Sequence, residues 1–407
     1  MKIVIIIPTY NERLNIEKMI PLLEQDIFPK VKNHHLSILI VDDNSPDDTA
    51  KAVKEFQKKW HNIELLTGEK KGLGSAYVRG MKYAMEHMNA DAVMEFDSDF
   101  QHNPHDIPRL IKAMDEGADY VIGSRYIPGG SIPKEWGLDR KILSVFGNLF
   151  TQLVWVNFKI HDMTSGFKLT KTSFLKRVDL NNLFSNNFAY KMQILHDVVK
   201  LHARVTEVPI VFLEREQGKS KINIKDQFES LYVVLRLGIA DRIRVIKFLI
   251  VGGTGFVVQI ILQEFSYFSG FATLMARWIF PLVQIFSHSA HIIALSNGVA
   301  AGIGAEAAII SNFILNNVWT FKDRKHQGFL EVLHNGLKFN VASLASVIIQ
   351  FAAITIGVLV FGDTVFLFSH HIPTRDVILI PTIIILVIPM NYVIYNRVIW
   401  KKQQLKK

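Results

Sequence analysis

The 407-residue chain contains no cysteine. That excludes disulfides, thiolate nucleophiles and zinc–thiolate centres. Charge is missing from long stretches of the second half: Phe248–Gln263, Ala307–Phe321, Phe339–Gly362 and Val377–Asn396 hold no Asp, Glu, Lys or Arg. With their flanks, these runs approach the roughly 20 apolar residues needed to cross a bilayer. No basic run interleaved with aromatics occurs in the first half, so the net charge of +9 does not read as nucleic-acid binding. No cleavable leader is read either, because the apolar run Ile3–Ile7 is short and leads straight into Pro8. It reads as a first strand.

What is present is a charged first half, up to about Arg244, followed by four apolar segments at roughly 246–268, 292–318, 339–362 and 377–397. Basic residues gather beside them: Arg242, Arg244 and Lys247; Lys322, Arg324 and Lys325; Arg397, Lys401, Lys402, Lys406 and Lys407. Under the positive-inside rule, this pattern predicts a multi-pass protein integral to the cell membrane, with both termini and the first half cytoplasmic. Residues 269–291 form an apolar connection that reads as re-entrant or interfacial. Glu306 is a lone carboxylate in an Ala-rich span, with Asn317 three helical turns along on the same face. Two readings stand for it, hydrogen bonding within the bundle and lipid handling.

In the first half, short β-rich runs alternate with amphipathic periodicity. Ile3–Ile7, Ser37–Val41, Ile63–Leu66, Ala92–Phe96 and Tyr120–Ile122 read as strands, and Asn11–Gln25, Asp47–Trp60, Gly74–His87 and Pro108–Glu116 as helices. The alternation predicts an α/β domain with a mostly parallel sheet, whose ligands gather at the carboxyl ends of the strands. Residues 138–160 and 225–244 are amphipathic, and read either as core packing or as helices lying in the membrane interface.

The polar motifs fall at strand ends. Asp97-Ser98-Asp99, with Gln101 two residues on, offers oxygen ligands suited to Mg²⁺ or Mn²⁺, which would neutralise charge on a departing diphosphate. Alone, such a triplet is most often a solvated turn. Pro8-Thr9-Tyr10-Asn11-Glu12 and Val41-Asp42-Asp43-Asn44-Ser45-Pro46-Asp47 close the first two strands. Their carboxylates can accept from base or ribose donors and Tyr10 can pack on a base, while Asn11, Ser45 and Asp47 equally suit helix starts.

Taken in order, Pro8–Glu12, Asp42-Asp43, Gly72-Leu73-Gly74-Ser75-Ala76-Tyr77, Asp97–His102, Gly123-Ser124-Arg125-Tyr126 and Arg215-x-x-Gly218-x-Ser220-Lys221 resemble the dolichyl-phosphate mannosyltransferase branch of the family 2 glycosyltransferases. The resemblance spans about residues 1–235 and implies the GT-A fold. The remainder, with Asn312–Phe321 closing the second span, resembles the GtrA-like four-helix membrane proteins. The implied division is a GT-A catalytic domain at 1–224, an amphipathic interface helix or linker at 225–244, and an all-α transmembrane domain at 245–407.

The resemblance further implies nucleotide contacts from Pro8, Tyr10, Glu12, Val41 and Asp43, and metal ligation by Asp97, Asp99 and Gln101, with Ser98 lining the donor site. It places Arg125, Arg140 and Ser144 on the lipid phosphate, and Arg215 and Lys221 on the donor phosphates; Asp99 and Arg125 are the implied catalytic pair. Ser98 stands where alanine is commoner and Asn44 where an acid is commoner.

An attacking hydroxyl needs a general base, whereas a lipid phosphate is already anionic and needs orientation and charge screening. Where hydroxyl-directed relatives carry an acidic pair, this chain reads Asp162-Met163-Thr164-Ser165-Gly166-Phe167, with one acid. The Q-x-x-R-W element of processive synthases is missing, since Arg277-Trp278 is preceded by Leu274. The expected activity is inverting transfer of mannose from GDP-mannose to dolichyl or another polyprenyl phosphate. The alternatives are transfer from UDP-glucose to undecaprenyl phosphate, and a lipid-translocating or scaffolding membrane protein whose first domain only binds nucleotide sugar.

Overall fold

The computed structural model describes residues 1–214, 224–286, 292–361, 364–367, 370–373, 377–378 and 381–401. The chain divides into two compact units, Met1–Ala240 and Asp241–Lys407.

The first unit is built on seven strands: β1 (Lys2–Thr9), β2 (His35–Asp42), β3 (Ile63–Thr67), β4 (Ala92–Glu95), β5 (Tyr120–Ser124), β6 (Lys168–Lys171) and β7 (Val205–Pro209). Their spatial order is β3-β2-β1-β4-β6-β5-β7. All neighbours are parallel except β6, which runs antiparallel between β4 and β5. Strand β1 is apolar along its length because both its faces are covered. Ile3, Ile5 and Ile7 share one core with residues of α1 (Arg13–Leu22), α2 (Thr49–Gln57) and α4 (Ile107–Asp115). The alternate residues Val4 and Ile6 share the other with α3 (Leu73–Glu86) and α7 (Tyr190–Lys200). The five strands and four helices read from sequence are all present. Strands β6 and β7, the short helix α6 (Thr172–Leu175) and helix α7 are additions.

Helix α5 (Leu138–Trp155) resolves one open reading. Its buried residues are Asn148 and Thr151, whereas Leu138, Ile142, Val145, Phe146, Leu149 and Leu153 are exposed. The polar face points inward, so core packing does not account for its apolar residues. Helix α8 (Ile224–Phe268) is continuous over 45 residues, so the interface helix or linker expected at 225–244 is helical and forms the first part of a longer helix. Near its start, Val233 and Leu237 pack with Ala189, and the Trp155 indole donates to the Val234 carbonyl at 3.1 Å.

The second unit continues with α9 (Phe271–Phe286), α10 (Ile292–Leu315), α11 (Phe329–Phe361) and α12 (Ile388–Ile394). Among the described residues, α8 is long and apolar enough to cross a membrane by length and composition. Helices α10 and α11 contain 24 and 33 residues. The connection expected at 269–291 contains α9, and an antiparallel hairpin of β8 (Thr364–Leu367) and β9 (His370–Pro373) occupies what reads as loop. The core is aromatic, with Trp400 stacked on Phe321 at 4.6 Å between ring centroids. Glu306 accepts from the Asn340 side chain. Asn317 bonds instead to the His326 backbone and the Trp400 indole, so the two polar groups read as sharing a face have separate partners.

Candidate active site

At the carboxyl ends of β1, β2 and β4 the first unit opens into a cleft of about 1210 Å³. The loops after β1 and β2 hold each other in place. Asp42 accepts from Thr9 Oγ1 at 2.8 Å and from the Ser45 backbone at 2.9 Å, which makes it an internal tie between the strand ends. Ser45 Oγ accepts from the Asn11 backbone and Asp47 from the Arg13 backbone. The two loops therefore cap across to one another, and neither Asn11 nor Ser45 caps its own helix as the sequence suggested. Asp43 is left to the cleft wall, where it pairs with Arg79 at 2.7 Å. Tyr10 also lines the cleft, under the Lys70 ammonium at 3.3 Å.

The start of α3 sits hard against the segment before α7. Gly72 has φ of +111°, and a Cβ there would meet the Asn186 carbonyl at 2.5 Å. Only glycine meets both demands. About one turn farther along α3 the Tyr77 hydroxyl donates to Asp97 Oδ1 at 2.7 Å, and its ring stacks on Tyr190. Tyr190 in turn donates to Glu95, which lies in register with Lys168 across β4 and β6. Burial pushes the Glu95 carboxyl up and the Lys168 ammonium down, a cost offset by their mutual attraction.

Above this buried network Asp97, Ser98, Asp99 and Gln101 all line the cleft. Asp99 accepts from the Gln101 backbone at 3.1 Å, which tightens the turn, and Gln101 exchanges bonds with Leu213. Two carboxylates and an amide within one turn are hard oxygen donors, and Tyr77 engages one Asp97 oxygen while that side chain stays 30% exposed. This set fits a divalent cation such as Mg²⁺ or Mn²⁺. His102 lies beside it with a buried, unpartnered Nδ1, and burial lowers its pKa to about 3, so the imidazole is neutral.

Arg125 follows β5 and meets Asp162 in a bidentate pair, Nε to Oδ2 and Nη2 to Oδ1, both at 2.7 Å, with the Arg125 backbone donating as well. Thr164 accepts from the same Nη2. Burial alone would raise the Asp162 carboxyl, but the Arg125 charge wins and holds it below the usual range. Arg140 and Ser144 lie one turn apart on α5 and both line the cleft. The Arg140 guanidinium stacks on Trp136 at 3.8 Å, and Ser144 Oγ accepts from the Tyr126 hydroxyl at 2.6 Å. Leu143, Phe146, Phe150, Phe212 and Leu231 give this end of the cleft an apolar wall.

Of the residues expected at the site, Pro8, Tyr10, Glu12, Asp43, Asp97, Ser98, Asp99, Gln101, Arg125, Arg140 and Ser144 converge on this one cleft. Val41 does not: its side chain is fully buried in the core, against the position of Gly80. Arg215 and Lys221 lie outside the described residues. Sequence reading missed Lys191 and Trp136, which also line the cleft. No motif marked either.

Residues 4–179 match the glycosyl transferase family 2 model, and residues 247–400 the GtrA/DPMS transmembrane domain model. The chain is 32% identical over 405 residues to the dolichol-phosphate mannosyltransferase of Pyrococcus furiosus, covering 98% of this chain and 99% of that protein. It is 33% identical over 243 residues to the polyprenol monophosphomannose synthase of Mycolicibacterium smegmatis, covering 59% of this chain and 88% of that one. The undecaprenyl-phosphate mannosyltransferase of Micrococcus luteus is also 33% identical over 243 residues, with 60% of this chain and 96% of that one covered. A full-length relative at this identity, together with both domain matches, makes this chain a membrane enzyme belonging to the family 2 glycosyltransferases, in the form that carries a GtrA/DPMS transmembrane domain.

Proposed function

We propose that this enzyme transfers mannose from GDP-mannose to dolichyl or another polyprenyl phosphate, with inversion, at the cytoplasmic face of the cell membrane. The named relatives support the sugar and the lipid class. The observation that carries the acceptor is the fate of Asp162. The one acid in the segment where hydroxyl-directed relatives keep an acidic pair is spent on Arg125, deep in the protein. It is therefore unavailable as a general base, and an acceptor that is already anionic does not need one.

In this reading an oxygen of the lipid phosphate attacks C1 of the bound mannose from the face opposite the diphosphate. The bond between C1 and the diphosphate oxygen breaks, and GDP departs with that electron pair. Asp97, Asp99 and Gln101 would hold the divalent cation, which supplies charge neutralisation on the diphosphate. Arg140 and Ser144 would orient the lipid phosphate, with Arg125 fixed behind them, and the apolar wall would take the first isoprene units. The basic clusters beside the apolar segments favour several spans with both termini cytoplasmic. Purified protein given GDP-mannose, a polyprenyl phosphate and Mn²⁺ should yield a lipid-linked mannose. Failure with every nucleotide sugar would sink the proposal, and product from UDP-glucose alone would move it to the other donor.

A further inference from the structure

Lys191 is the second residue of α7, and nothing in the reaction as described above uses it. Its side chain is about nine-tenths buried, yet it lines the cleft. Of the other cleft cations, Arg125 is paired with Asp162, while Lys70 lies over Tyr10 and Arg140 over Trp136. The Lys191 ammonium makes no hydrogen bond or close ion pair with a described residue, and the Phe188 ring lies 5.5 Å away. The backbone that carries it is anchored. The buried Lys168 donates to the Lys191 carbonyl at 3.1 Å, and the preceding residue, Tyr190, is tied to Glu95.

The position is informative. A Cβ built on Gly166 would lie 3.3 Å from both Lys191 Nζ and Asp97 Oδ2, so the ammonium borders the carboxylate turn. The other buried charges around it are the cations Lys168 and Arg125 and the carboxylates Glu95 and Asp162. Once a divalent cation neutralises Asp97 and Asp99, three buried cations, Lys191 included, face two buried carboxylates, an excess of one positive charge. A buried ammonium in that state calls for an anion.

We propose that Lys191 is a further anion-binding residue of the cleft, its ammonium taking a phosphate oxygen of a substrate. The inference rests on the phosphate-transfer reading above. Two phosphates could supply that oxygen, the nucleotide's diphosphate and the lipid's monophosphate, and binding experiments separate them. The full chain in nanodiscs would be titrated with GDP, with and without Mn²⁺, as wild type, Lys191→Met and Lys191→Arg. KM for a short-chain polyprenyl phosphate would be measured beside it.

If the diphosphate is the partner, Lys191→Met should weaken GDP binding by about 10- to 100-fold, the range of one charge-assisted hydrogen bond, and Lys191→Arg should recover part of it. If the lipid phosphate is the partner, GDP affinity holds and acceptor KM rises by a similar factor. In either case the affected affinity should lose part of its salt dependence. Unchanged GDP affinity and acceptor KM in a folded Lys191→Met would overturn the proposal. So would a loss of affinity that accompanies a lower Tm, keeps its salt slope and is not recovered by arginine, since that pattern marks a structural lysine. Wild type that binds UDP and not GDP would correct the donor alone, and the same variants would then be titrated with UDP.

Discussion

Replacing Asp162 by Asn would leave the Arg125 guanidinium buried against a neutral partner, with one of its two acceptor oxygens replaced by an amide donor. Breaking a buried pair in this way costs about 3–5 kcal/mol, whereas removing both charges costs less. Asp162→Asn should therefore lower the unfolding free energy of the catalytic unit by about that much, and the double variant Arg125→Met/Asp162→Leu should lose less than the two single changes added together. Denaturant unfolding measures all of these. The pH dependence has a definite sign. Arg125 holds the folded-state Asp162 carboxyl below its ordinary value, so its contribution is complete above that ordinary value and fades as pH falls through the depressed one. The gap between wild type and Asp162→Asn should close on acidification below about pH 4.

Asp99→Asn tests another side chain at the same scale. A neutral amide is a poorer ligand for a hard cation, so turnover at saturating Mn²⁺ should fall by at least about 100-fold with an unchanged Tm. Undiminished turnover would remove Asp99 from the proposed metal set. Sequence distinguished these residues unevenly. Asp42 and Asp43 are adjacent and identical in type, and only the bonds from Thr9 and Ser45 show that the first is internal. The Arg125–Asp162 pair joins residues 37 positions apart, a separation that no local spacing reveals.

Among the elements, β1 and β2 were legible because burial on both faces forces a nearly unbroken apolar run. Strand β6 was not legible, because it reads Lys-Leu-Thr-Lys and its buried Lys168 is tolerated only opposite Glu95. Helix α5 was legible as amphipathic but not in direction, since periodicity does not say which face is wet. Its exposed apolar face suits the membrane interface, where each aliphatic side chain inserted contributes roughly 1.5–3 kcal/mol. Ile142→Ser with Leu149→Ser should therefore lower partitioning of the catalytic unit onto anionic vesicles by at least about tenfold. These side chains are 66% and 48% exposed, so Tm should barely move. Unaltered vesicle binding would show that α5 meets something other than lipid.

For the whole molecule, the question is whether the second unit anchors or completes the enzyme. The described residues of the cleft all belong to Met1–Ala240, and that unit has two hydrophobic cores of its own. The match to the Micrococcus luteus protein spends 243 residues on 96% of that chain, so a relative of this kind is little longer than the first unit. A truncation ending at Arg244 should thus fold, bind GDP and transfer mannose to a short, water-soluble polyprenyl phosphate. Its transfer to a long-chain lipid in a bilayer should drop by roughly 100-fold, because the anchor no longer supplies a high effective concentration at the membrane. The interface helices should retain weak vesicle binding, through apolar burial and about 1 kcal/mol for each well-placed basic residue. Rates on the two acceptors, measured side by side, decide the matter. A truncation that folds and binds GDP but leaves even the short acceptor untouched would mean that the second unit contributes part of the acceptor site.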